Sequence, residues 1–93
     1  MKVRFRPEAE LELTQARDWY AACAPGLGRE FLRALDTCLE GILFYPQAHP
    51  LVHGEVRRAL FRQFPYSLTF RVETDGILVI SCRHSRQKPI SRG

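Results

Sequence analysis

Tyr66-Ser67-Leu68-Thr69-Phe70-Arg71-Val72-Glu73-Thr74-Asp75-Gly76-Ile77-Leu78-Val79-Ile80-Ser81-Cys82 is the stretch on which the fold turns. Tyr66, Leu68, Phe70 and Val72 alternate with Ser67, Thr69 and Arg71, the period of two that puts one face of a strand in a core and the other outside it. Residues 77–82 form a nearly continuous apolar run, as a strand buried on both faces does. Between the two, Glu73-Thr74-Asp75-Gly76 contains Asp-Gly, a pair that tolerates the left-handed backbone of a tight hairpin. Two antiparallel strands are therefore expected. Upstream, residues 55–61 are rich in Val, Leu, Phe and Arg and supply a third, so this half of the chain reads as a three-stranded antiparallel meander.

Working further back, residues 47–54 carry Pro50 and two histidines, His49 and His53, and read as an exposed loop. Before them Leu27, Phe31, Leu35, Cys38 and Ile42 recur at helical spacing until Tyr45-Pro46, where the proline pushes its predecessor out of helical geometry. Ala9, Leu13, Ala16, Tyr20 and Cys23 repeat the pattern in an earlier helix that starts at Pro7, has Glu8 and Glu10 in its first turn, and stops at Ala24-Pro25-Gly26. So short a link makes the two helices an antiparallel hairpin. Ahead of them Val3-Arg4-Phe5-Arg6 alternates as a short strand. The expected architecture is α+β over residues 1–93 as one domain: N-terminal strand, α-helical hairpin, then the meander, with the hairpin covering one sheet face. The other face is left open, and Arg57, Arg58, Arg62, Arg71 and Arg83 are expected to line it. Residues 85–93 are basic and polar around Pro89 and read as a loose tail.

The composition narrows the function. At 93 residues and 45% hydrophobic, the chain has material for one modest core. Its net charge is +4, and all of its cations but Lys2 and Lys88 are arginines. Arginine's planar fork grips phosphates and carboxylates, so the balance points to an anionic partner. Three widely spaced cysteines, Cys23, Cys38 and Cys82, form neither a disulfide framework nor a zinc ribbon; each falls at an apolar-periodic position and is expected to be buried in a reducing compartment. His49 and His53 stand four apart, but Pro50 and Gly54 prevent the helix that would align them on a metal, so no metal or cofactor is expected. The N-terminal residues lack the apolar run of a secretory leader, and no stretch is long enough to cross a bilayer; the expected location is the cytoplasm, with no membrane partner.

Several short pieces, in order along nearly the whole chain, carry a family resemblance: Glu8-Ala9-Glu10-Leu11, Trp19-Tyr20, Gly26-Leu27-Gly28 with Phe31-Leu32, Tyr45-Pro46, Val56-Arg57-Arg58, Phe64-Pro65-Tyr66 and His84. The set resembles the RelE/ParE superfamily of toxins from type II toxin-antitoxin systems, and most closely its ParE branch. Each piece also has a structural duty. Pro46 stops a helix, Trp19 and Tyr20 are expected to bury their rings, and Pro65 turns Tyr66 back into the sheet.

The resemblance implies a toxin held inactive by a cognate antitoxin, whose acidic segment would fold onto the arginines; Arg57, Arg58, Arg71, Arg83 and Arg86 are the candidates for that contact. For the ParE branch it implies inhibition of DNA gyrase with no enzymatic activity of its own. The alternative is a RelE-like, ribosome-dependent and metal-independent endoribonuclease acting on mRNA. Such cleavage needs a base, an acid and phosphate clamps, for which Glu55, His84 and Arg57, Arg58 or Arg83 are the candidates. The tail departs from the ParE pattern: Gln87 stands where an arginine is usual, Arg86 lies beside it, Pro89 is kept, and Ile90-Ser91 replace an aromatic. A third possibility is a non-toxic basic module for nucleic acid, whose binding would weaken steeply with salt.

Overall fold

A computed structural model describes residues 2–86. Strand β1 (Lys2–Phe5) is followed by helices α1 (Pro7–Cys23) and α2 (Leu27–Phe44), a single 3-10 turn (Pro46–Ala48), and strands β2 (Leu51–His53), β3 (Val56–Leu60), β4 (Tyr66–Glu73) and β5 (Gly76–His84). They form one five-stranded sheet in the order β1-β5-β4-β3-β2. The fold is α+β, as expected, with two differences. Residues 47–54 are not all loop: Leu51–His53 pairs antiparallel with β3 and lengthens the meander to four strands. The N-terminal strand lies beside the last one and runs parallel to it, Lys2 opposite Gly76 and Phe5 opposite Val79.

The helical hairpin turns on Gly26, whose φ of +82° is the left-handed conformation glycine adopts at little cost. Gly28 lets the helices approach, because a Cβ there would lie 2.9 Å from that of Ala21. From α1 the expected stripe reaches the core through Ala9, Leu13 and Ala16, and from α2 through Phe31, Cys38 and Ile42. Two expectations for α1 fail. Cys23 is exposed, and Trp19 is 62% exposed, while the neighbouring Tyr20 turns its ring onto Phe31, Phe64 and Tyr66.

Opposite the helices, Leu68, Phe70, Ile77, Val79 and Cys82 close the core, each at most 2% exposed. At about 2–3 kcal/mol for each large buried side chain, this layer supplies much of the drive to fold. An aromatic cluster ties the hairpin to the β3–β4 connection. Tyr20 stacks on Phe31 with centroids 5.5 Å apart and meets Phe64 edge-on at 4.8 Å, and Phe31 touches Phe61, Phe64 and Tyr66. The Tyr66 N–H donates to the Phe64 carbonyl across Pro65, a tight turn that sends Tyr66 into β4.

Candidate functional site

Strand alternation sorts the arginines. Arg57 lies opposite Phe70 and so points to the helical side, whereas Arg58 lies opposite Thr69 and points to the open side. The expectation that both line one face is corrected: neighbours in a strand cannot share a face. Arg57 folds back over the 3-10 turn and donates to the carbonyls of His49 at 2.7 Å and Gln47 at 3.4 Å. Arg62 lies beyond the end of β3, outside the strand register.

The open face carries Lys2 and Arg4 from β1, Leu78 and Arg83 from β5, Ser67, Thr69, Arg71 and Glu73 from β4, and Arg58 and Leu60 from β3. Arg4 and Arg71 both pair with Glu73, Arg71 at 2.9 Å, and these partners hold the Glu73 carboxyl below the usual carboxylate range despite some desolvation. Arg83 lies 3.6 Å from Glu12 of α1. Arg86 follows the last strand and is exposed.

His84 ends β5 opposite Tyr66, with the two rings edge to face at 5.1 Å. Its Nδ1 accepts the Arg86 backbone N–H at 3.0 Å, which leaves the ring proton of the neutral imidazole on Nε2. The ring borders a groove of about 380 Å³ between α1 and the end of the sheet, lined also by Glu12, Gln15, Trp19, Tyr20 and Tyr66. Burial pushes the hydroxyls of Tyr20 and Tyr66 up, so near neutral pH both are protonated donors. Glu12 was not a candidate from sequence. Its Oε1 accepts the Cys82 N–H at 2.8 Å, beyond the point where β1 stops covering the edge of β5.

Glu55 sits at the opposite end of the sheet, exposed in the turn between β2 and β3, beside a shallow 200 Å³ depression with Arg57, Leu51 and Val72. From Val72 to Tyr66, the partner of His84, β4 advances roughly 20 Å. The structure therefore does not bring Glu55 together with His84. It brings Arg58, Arg71 and Arg83 onto one face, and His84 together with Tyr66 and Glu12. His49 donates its Nδ1 proton to the Tyr45 carbonyl, 3.1 Å away, and packs edge-on to Phe70, which makes it a structural residue. Among the described residues no three His, Cys, Asp or Glu side chains are grouped to hold a metal ion. None of the helices there is long and apolar enough to cross a membrane. Gln87, Pro89, Ile90 and Ser91, where the tail departs from the ParE pattern, lie outside the described residues.

No curated protein matches the chain. Among solved structures, one described as the chromosomal ParDE TA system from P. aeruginosa is similar at a TM-score of 0.64 and 20% identity, covering 90% of this chain and 95% of that one. Another, the toxin-antitoxin complex RelBE2 from Mycobacterium tuberculosis, is similar at 0.59 and 18%, covering 89% and 95%. At such identities these likenesses speak for the fold. The profile of the ParE toxin of type II toxin-antitoxin system, parDE, matches residues 3–89, nearly the whole length. The chain belongs to the ParE toxin family of type II toxin-antitoxin systems.

Proposed function

We propose that the free protein inhibits DNA gyrase in the cytoplasm without catalysing a reaction of its own, and that the acidic segment of a small cognate antitoxin neutralises it. The observation that carries the non-catalytic half is the separation of Glu55 from His84 along the length of β4. General acid-base cleavage of RNA needs both groups within hydrogen-bonding reach of one phosphate, directly or through a water. Arg57, the nearest cation to Glu55 in the sequence that points to the same side, already spends its donors on two backbone carbonyls. The neutralisation half is supported by the open face, where Arg58 and Arg71 stand with Lys2 and Arg4 around the carboxylate of Glu73, and Arg83 at its far end reaches Glu12.

The test is a gyrase supercoiling assay run beside cleavage of mRNA on programmed ribosomes at matched protein concentrations. Loss of supercoiling with intact message is the expected result. Cut message with normal supercoiling overturns the proposal in favour of the endoribonuclease reading.

A further inference from the structure

The charge of this protein is divided between its two layers. Residues 7–44, which form the helical hairpin, hold seven carboxylates against three arginines and are net −4, although the whole chain is +4. Helix α1 accounts for most of this, with Glu8, Glu10, Glu12 and Asp18 against Arg17 alone. The 380 Å³ groove between α1 and the end of the sheet therefore lies on the acidic side of a basic protein, and its size is that of a small-molecule site. An anion would enter it against the charge of α1. A metal ion lacks ligands, since no three His, Cys, Asp or Glu side chains are grouped to hold one among the described residues. The ligand such a groove suits is an organic cation.

The groove has two ends that favour positive charge. At one, Glu12 Oε1 accepts the Cys82 N–H, and Oε2 lies 3.6 Å from Arg83, an ion pair too long for a hydrogen bond. A carboxylate can accept about four hydrogen bonds, so Glu12 has capacity for an ammonium proton. At the other end stand three rings in series. Trp19 and Tyr20 meet at 5.1 Å with planes 84° apart, and Tyr20 and Tyr66 at 6.1 Å with planes 68° apart. Rings set crosswise turn the face of one past the edge of the next, and the negative face of a ring attracts a cation. Tryptophan is the best such ring, and Trp19 is 62% exposed. Glu12 and Trp19 are two turns of α1 apart, about 10 Å, with the apolar Ala16 lining the groove between them.

We infer that this groove binds a linear aliphatic polyamine lengthwise, with one terminal ammonium on the Glu12 carboxylate, the methylene chain passing Ala16, and the far ammonium against the faces of Trp19 and Tyr20. Spermidine, extended, covers that span, and putrescine is too short to reach both ends. A cation with a single head, such as arginine amide, satisfies one end only. Neither gyrase nor an antitoxin takes part, so the inference stands apart from the proposed function.

The experiment is isothermal titration calorimetry of the full chain with spermidine, beside putrescine, arginine amide and magnesium chloride at matched ionic strength. The emission of Trp19, the single tryptophan of the chain, is followed in parallel. Spermidine should bind saturably and shift that emission, with putrescine and arginine amide each about tenfold weaker, the loss of one good contact. Glu12→Gln keeps an acceptor oxygen for the Cys82 N–H, so it removes the charge and leaves the joint between α1 and β5; it should weaken spermidine about tenfold. Trp19→Ala, at an exposed ring, should weaken it severalfold by calorimetry. Circular dichroism verifies that both variants are folded. Absence of saturable binding overturns the inference, as does binding indifferent to both variants. A magnesium response equal to that of spermidine also overturns it, reducing the effect to screening, and an equal arginine amide response reduces the site to one head.

Discussion

The carboxylate of Glu12 on α1 accepts the backbone N–H of Cys82 on β5 at 2.8 Å, fastening the first helix to the last strand where β1 no longer covers the strand's edge. Glu12→Ala leaves that amide without its acceptor, which costs about 1–2 kcal/mol. Glu12→Gln keeps an acceptor oxygen and should recover most of the loss. Urea unfolding of both variants checks this; equal losses would mean that the contact to Arg83, and not the hydrogen bond, holds the joint.

Arg57 and Arg58, although adjacent, should respond oppositely to truncation. Arg57→Ala removes the donors that tie the 3-10 turn to the sheet and should cost about 1–3 kcal/mol in stability. Arg58→Ala, on the exposed side, should change stability by no more than about 0.5 kcal/mol. Thermal unfolding separates the two, and a large loss for Arg58→Ala would contradict the assignment of faces.

Gly76 and Gly26 are both required, for different reasons. An alanine Cβ at Gly76 would run into the Lys2 carbonyl of the neighbouring β1 and force the strands apart, an overpacking cost of about 2–3 kcal/mol. At Gly26 there is space for a Cβ, and only the left-handed backbone is unfavourable, at about 1 kcal/mol. Denaturant midpoints of the two alanine variants should rank in that order.

The three thiols should titrate and react as two classes. Burial pushes Cys38 up to about 11, and burial, with the charge of Glu12 second, pushes Cys82 up to about 12. In the unfolded chain both ionise near 9.0, so there the unfolded state sheds protons that the native state keeps. Their contribution is intact below pH 9 and falls as pH rises towards 11 and 12; stability measured upward from pH 9 should decline accordingly. Near neutral pH a charged alkylating reagent should modify Cys23 rapidly and the other two only on unfolding.

The strong periodicities were legible in the sequence. The alternation of residues 66–72, the apolar run after Asp75-Gly76 and the two helical stripes correspond to β4, β5, α1 and α2. Strand β2 was not legible, because three exposed residues between Pro50 and Gly54 have no buried face and so no pattern to display. Cys23 misled because helical spacing identifies a face but not whether anything packs on its last position, and Trp19 because ring size alone was read as burial although it stands outside that stripe. Opposite facings of Arg57 and Arg58 followed from their adjacency alone and went unread when basic residues were counted together. Glu12 gave no local signal at all: its partner lies 70 residues away and is a backbone amide, a group every residue but proline offers.

The parallel seat of β1 against β5 has a consequence for how the protein is made. Among the described residues, 2–5 pair with 76–79, so a chain growing on the ribosome carries β1 unpaired until those later residues have emerged. The sheet closes only after β5 has emerged, and products terminated before it lack a native place for β1. For a poison, late closure of this kind ties harmfulness to completion.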